Sequence, residues 1–109
     1  MPVCHLYTNL KDSDLKDGVE GRIANVVAET LGKPIERVTV IIIPGVRIQR
    51  LESTAPACTF NVSSFEVFDK ERNPKYSPAI YKVLQEELDL PKERCVVLFH
   101  DLDKNMIAV

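Results

Sequence analysis

The chain has 109 residues, 45% of them hydrophobic and 28% charged, with a formal net charge of −2. That is one domain of ordinary globular composition, long enough to bury a core without staples, and it excludes intrinsic disorder. There is no basic excess to attract nucleic acid or an anionic membrane, and no apolar run approaches the roughly 20 residues a membrane-spanning helix needs.

Met1 to Tyr7 carries Val3, Cys4, Leu6 and Tyr7 before Thr8-Asn9, which predicts a short strand and a turn. The first fifteen residues are interrupted by polar ones from Thr8 on and do not read as a signal peptide. Asp12-Ser13-Asp14 offers N-cap residues, and beyond it Leu15, Val19, Ile23, Val26, Val27 and Leu31 repeat at helical spacing. Gly32 and Pro34 supply the stop signals of this helix. Val38 to Ile43 is rich in β-branched residues without alternation, the pattern of a strand covered on both faces. Pro44-Gly45 ends it, and after an arginine-containing connection a second strand is predicted from about Ala57 to Val67. Asp69 to Lys75 reads as a charged loop, and Ser77-Pro78 as the cap and first residue of a helix that Pro91 stops. Cys95 to Phe99 is a last buried strand.

The order is β-α-β twice, and the two halves share sequence. Glu29 to Val40 lies 57 residues before Glu86 to Val97, and six of the twelve positions are identical: Glu29/Glu86, Leu31/Leu88, Pro34/Pro91, Glu36/Glu93, Arg37/Arg94 and Val40/Val97. The expected fold is therefore α+β: one domain over residues 1–109, built from pseudo-repeats of about 1–50 and 57–109. Duplicated β-α-β units give a four-stranded sheet with two helices on one face. The other face of such a sheet is left uncovered, which favours an oligomer.

Two residues could carry chemistry. A methionine followed by proline is normally removed, which leaves the Pro2 nitrogen as a free secondary amine. A free α-amino group titrates near 7.7–8.0, and burial or a neighbouring cation lowers that, so the amine can serve as a base near pH 7. Lys33, in Gly32-Lys33-Pro34 after the first helix, could neutralise a substrate carboxylate and lower the Pro2 pKa. Each also has a plain reading: a Met-Pro start sets processing alone, and a lysine at a helix C-terminus complements the dipole.

The remaining candidates point to structure. Cys4, Cys58 and Cys95 form an odd set with no C-x-x-C pair, so a reduced compartment and packing roles are expected. His5 and His100 with Cys4 lack metal-ligand spacing, and no metal is expected. Asn61-Val62-Ser63 is a glycosylation sequon inside a predicted strand. No glycine-rich phosphate loop and no Ser/His/Asp spacing is present.

Met1-Pro2, Thr8-Asn9-Leu10, Gly32-Lys33-Pro34, Arg37-Val38, Pro44-Gly45, Ser53-Thr54-x-Pro56 and Ser63-Ser64, taken in order, resemble the macrophage migration inhibitory factor and D-dopachrome tautomerase family over essentially the whole chain. Gly32-Lys33-Pro34 and Pro44-Gly45 are closer to the D-dopachrome tautomerase branch. So is the lack of the cytokine branch's C-x-x-C, where Ala57 and Phe60 stand.

The resemblance implies a homotrimer with sites between subunits, and cofactor-free keto–enol tautomerisation of phenylpyruvate-like or dopachrome-like acids. It implies Pro2 as general base, Lys33 as the carboxylate ligand, and Phe65 lining the pocket with its backbone N–H toward the ligand. It also implies a cytoplasmic protein that can be exported without a signal peptide and can meet a cell-surface receptor.

Three departures stand against the family pattern. Phe65-Glu66-Val67-Phe68-Asp69 is bulky and charged where a glycine-rich turn is usual. Val96 and Leu98 replace a tyrosine and an asparagine that border the site in the cytokine branch, and the C-terminal segment is short. A cytokine-like binding protein with a vestigial pocket is thus the alternative, and a lone ferredoxin-like module of other function the third reading.

Overall fold

A computed structural model describes residues 1–108. Strand β1 (Val3–Thr8) leads to helix α1 (Val19–Leu31) and strand β2 (Thr39–Ile43); strand β3 (Cys58–Ser64) leads to helix α2 (Asn73–Leu88) and strand β4 (Cys95–Asp101). The four strands form one sheet in the order β2-β1-β3-β4. Each half contributes a parallel pair, β1 with β2 and β3 with β4, and the halves join antiparallel through β1 and β3. The expected α+β fold stands.

The strand alternation decides which residues meet the helices. Cys4 and Leu6 on β1 are in register with Val40 and Ile42 on β2, and with Val62 and Phe60 on β3. These residues form one face of the sheet, against which Val19, Ile23 and Val27 of α1 and Ile80, Leu84 and Leu88 of α2 are buried. Phe60, Leu6, Ile23, Ile80 and Leu84 are almost wholly removed from water, each contributing about 1.5–3 kcal/mol of hydrophobic stabilisation.

The repeated sequence is a repeated stretch of structure. In the first half α1 ends with Gly32 in the left-handed region (φ 65°), and the amides of Gly32 and Lys33 return to the carbonyls of Glu29 (3.4 Å) and Ala28 (2.9 Å). Pro34 then opens a 3-10 turn over Ile35–Arg37 that feeds β2. In the second half Asp89 takes the left-handed position (φ 55°), and Pro91 opens the corresponding turn over Lys92–Arg94 before β4.

Several boundaries differ from the sequence expectation. Helix α1 starts at Val19 and not near Leu15, because Gly18 adopts φ 79° and Asp12–Asp14 form a separate 3-10 turn. Strand β2 is open on one side: Thr39 is exposed and Ile41 is 41% exposed, since both helices lie on the opposite face. Strand β3 stops at Ser64, and Phe65 and Glu66 (φ 65°) already turn away. Helix α2 begins four residues before Ser77. The Asp69 carboxylate accepts from the Arg72 amide at 2.6 Å, and the Asn73 side chain accepts from the Asp69 amide at 3.1 Å. Pro74 then sits in the first turn, where its missing N–H costs nothing. Pro78 therefore lies inside the helix.

Candidate functional site

Pro2 is fully buried at the head of β1. Its carbonyl accepts from the Thr39 amide at 3.0 Å, which fixes the start of β1 against β2. The antiparallel register, continued by one residue, sets Ser64 opposite Pro2. Ser64 is buried, and its hydroxyl lacks a hydrogen-bond partner among the described residues. The amino group of Met1 donates to the Arg37 carbonyl at 3.0 Å.

Lys33 and Phe65 lie far apart in sequence and come together here. The Lys33 ammonium stands over the Phe65 ring, 5.3 Å from its centroid, an attractive cation–π geometry. Both side chains line one hollow of about 680 Å³ together with Met1, Arg37 and Lys104. The C-terminal Schellman turn of α1 delivers Lys33, and the turn that ends β3 delivers Phe65. The 3-10 turn before β2 delivers Arg37, and a 3-10 turn over Lys104–Met106 delivers Lys104. The side chains contributed to the hollow are cationic or apolar apart from Asn105, and no acidic residue lines it among the described residues.

Arg37 and Lys104 were not singled out by sequence reasoning. Arg37 carried a hint, since it follows Gly-Lys-Pro by one short turn. Lys104 had none, because only the folded chain brings the end of β4 back beside Phe65. Val96 and Leu98 do not line this hollow: they share the open face of the sheet with Thr59 and Asn61, their register partners.

The other sequence candidates are placed elsewhere. Cys4 and His5 alternate on β1, so Cys4 enters the core while His5 stacks on Tyr7 at 6.5 Å between centroids. His100 reaches Asn61 through Nε2 at 3.3 Å. Burial pushes the Cys4 thiol up to about 12, which keeps it a neutral thiol near pH 7. Cys58 and Cys95 are direct register partners, a pairing their spacing did not disclose. A hydrogen bond with Cys95, and then burial, push the Cys58 thiol up, while the Cys95 thiol donates to the Pro91 carbonyl at 3.7 Å. All three cysteines are free and buried.

The remaining shared motifs turn out to hold one another. Thr8 donates its hydroxyl to the Ala57 carbonyl (2.8 Å), and Asn9 donates to the carbonyls of Thr54 and Ala55 while accepting from the Ala57 amide. The Leu10 carbonyl accepts from Gly45, whose φ of 71° suits a residue without a side chain. Thr8-Asn9-Leu10 is thus the clasp that gathers both loops of the connection between β2 and β3.

The class is defined by a duplicated β-α-β sheet with Pro2 buried at the head of β1 and Met1, the residue before it, lining a cationic hollow. The sequence profile of the macrophage migration inhibitory factor family matches residues 1–109. The mouse protein D-dopachrome decarboxylase is 38% identical over 94% of this chain and 88% of its own length. The Caenorhabditis elegans MIF-like protein mif-2 is 32% identical over 94% of this chain and 85% of its own. The solved structure of the macrophage migration inhibitory factor from Trichinella spiralis superposes with a TM-score of 0.93 at 25% identity, covering 98% of this chain and 95% of that one. The chain belongs to the macrophage migration inhibitory factor family.

Proposed function

We propose that this protein is a cofactor-independent keto–enol tautomerase acting on phenylpyruvate-like or dopachrome-like carboxylates. The observation that carries the reading is the single hollow that joins Met1, Lys33 and Phe65. Met1, which lines this hollow, is bonded to the Pro2 nitrogen, so its removal turns an amide into a secondary amine at the position where Met1 was attached. The cations at Lys33, Arg37 and Lys104 disfavour protonation of that amine, and so does the apolar enclosure of Pro2. The amine then takes a proton from the carbon beside the substrate's carbonyl and returns it to the resulting enolate oxygen, with no net change in atoms. Lys33 holds the carboxylate, and the Phe65 ring offers an apolar wall to the aryl group.

The similarity to D-dopachrome decarboxylase supports the substrate class. Assembly into a homotrimer belongs to the same reading, supported by the open sheet face on which Ile41 and Leu98 stand 41% and 45% exposed. Occurrence in the cytoplasm, with export that needs no signal peptide, also belongs to it.

The test begins with intact mass, to establish that Met1 is absent. Phenylpyruvate and dopachrome-ester turnover is then compared in the processed protein and in Pro2→Gly, and a loss of at least about 100-fold is expected for a general base. Equal rates sink the assignment of Pro2. The second reading, a binding protein with a vestigial pocket, is favoured by Lys33 being already engaged by the Phe65 ring. It predicts no turnover by correctly processed protein together with saturable binding to a cell-surface partner.

A further inference from the structure

Lys104 has no role in the reading above beyond its charge. Its ammonium is 3.0 Å from Glu66 Oε1, and both side chains are 65% exposed. An exposed pair of this kind contributes little to stability. Glu66 also adopts φ 65°, a conformation that disfavours any residue with a side chain.

The surrounding bonds nevertheless hold the backbone that carries this pair. Arg72 Nη1 donates to the Glu66 carbonyl at 3.2 Å, and the Leu102 amide donates to the Ser64 carbonyl at 2.8 Å. The Asp103 carboxylate caps the turn that carries Lys104, accepting from the Asn105 amide at 2.9 Å. The result is a lysine carried by a braced turn at the edge of the hollow that also holds Lys33. An ammonium has three N–H donors, and Glu66 takes one, which leaves two for a ligand.

We propose that Lys104 determines specificity at this hollow: with Lys33 it forms a two-cation site that selects keto acids bearing a second anionic group, the 2-oxodicarboxylates, over singly charged aryl keto acids. The inference rests on the tautomerase reading for its chemistry and puts dicarboxylates ahead of the aryl keto acids of that reading as preferred substrates. The reaction is unchanged: a proton leaves carbon for the Pro2 amine and is returned to oxygen. One carboxylate meets Lys33, and the second meets Lys104, with Arg37 also lining the hollow. No acidic residue lines this hollow among the described residues; Glu66, Asp101 and Asp103 line the adjoining one, which Lys104 and Phe65 also border.

The test compares tautomerisation of oxaloacetate, a dianion, with that of phenylpyruvate, a monoanion, using the Met1-processed full chain. The ratio of kcat/KM values favours oxaloacetate in the wild type. In Lys104→Ala that ratio falls by about tenfold, the loss of one charge-assisted hydrogen bond. Lys104→Arg retains most of the preference. Lys82→Ala, on the exposed surface of α2 beside Glu86, leaves the ratio where it was. A ratio unmoved by Lys104→Ala, or favouring phenylpyruvate in the wild type, overturns the proposal.

If neither compound turns over, the tautomerase reading has failed by itself, and binding decides the anion site. Succinate is then titrated against phenylacetate by calorimetry. Weakening of succinate alone in Lys104→Ala upholds the two-cation site, and equal affinities in wild type and variant overturn it.

Discussion

The guanidinium of Arg94 is buried at the start of β4 and donates to four carbonyls of the preceding connection: Nε to Pro56 (3.1 Å), Nη1 to Arg50 (2.7 Å), and Nη2 to Ser53 (3.3 Å) and Ala55 (2.7 Å). Its counterpart in the first half, Arg37, is exposed and lines the hollow. The two residues are identical in the repeat, and nothing local separates their roles. The difference is that the chain between β2 and β3 folds back over Arg94 and leaves Arg37 uncovered. Arg94→Ala strands buried carbonyls without donors and is expected to cost about 3 kcal/mol, read as a lower denaturant midpoint. Arg94→Lys recovers little of it, because a single ammonium cannot span the fork that four separate carbonyls occupy. An unchanged midpoint in Arg94→Ala would remove Arg94 from the account of the connection's stability.

At the scale of elements, the repeat supplies an internal comparison. Both helices end on a left-handed residue, Gly32 after α1 and Asp89 after α2. Asp89 also faces Lys16 at 3.7 Å across the surface, an exposed pair of small worth. Asp89→Gly should therefore stabilise the protein by about 0.5–1 kcal/mol, seen as a raised Tm. A lower Tm would mean that the Lys16 contact outweighs the backbone relief. Helix α2 also shows why boundaries mislead. Ser77-Pro78 has the composition of a helix start, yet the reciprocal bonds between Asp69, Arg72 and Asn73 nucleate the helix four residues earlier. Such capping depends on loop conformation, which residue types at given spacings do not specify.

For the whole molecule, the decisive asymmetry is between the two faces of the sheet. One is closed by α1 and α2, while the other presents Val3, His5, Tyr7, Ile41, Val96 and Leu98. Tyr7, Ile41 and Leu98 are 37%, 41% and 45% exposed, large apolar side chains gathered on one sheet face, the kind of surface that favours association. Leu98→Glu places a charge on that face, at the edge strand β4. It is expected to shift the protein from assembly to monomer in sedimentation and to lower Tm as the face is returned to water. A variant that sediments as the wild type does would show that this face is not the interface.

Residue order determined the two β-α-β units, the helix stop signals at Gly32 and Pro34, and the nomination of Pro2 and Lys33, because period, stop signals and repeated motifs are local properties of the chain. Phe65 was nominated by the family resemblance alone. Tertiary structure alone decided the rest. It brought Arg37 and Lys104 to the hollow, set Cys58 beside Cys95, turned Arg94 inward, and put Val96 and Leu98 on the uncovered face of the sheet. The reason is distance along the chain. Lys33, Phe65 and Lys104 are separated by tens of residues, and no periodicity encodes which turn comes back beside which. That depends on the order β2-β1-β3-β4, which places the head of β1 between the ends of two elements from opposite halves.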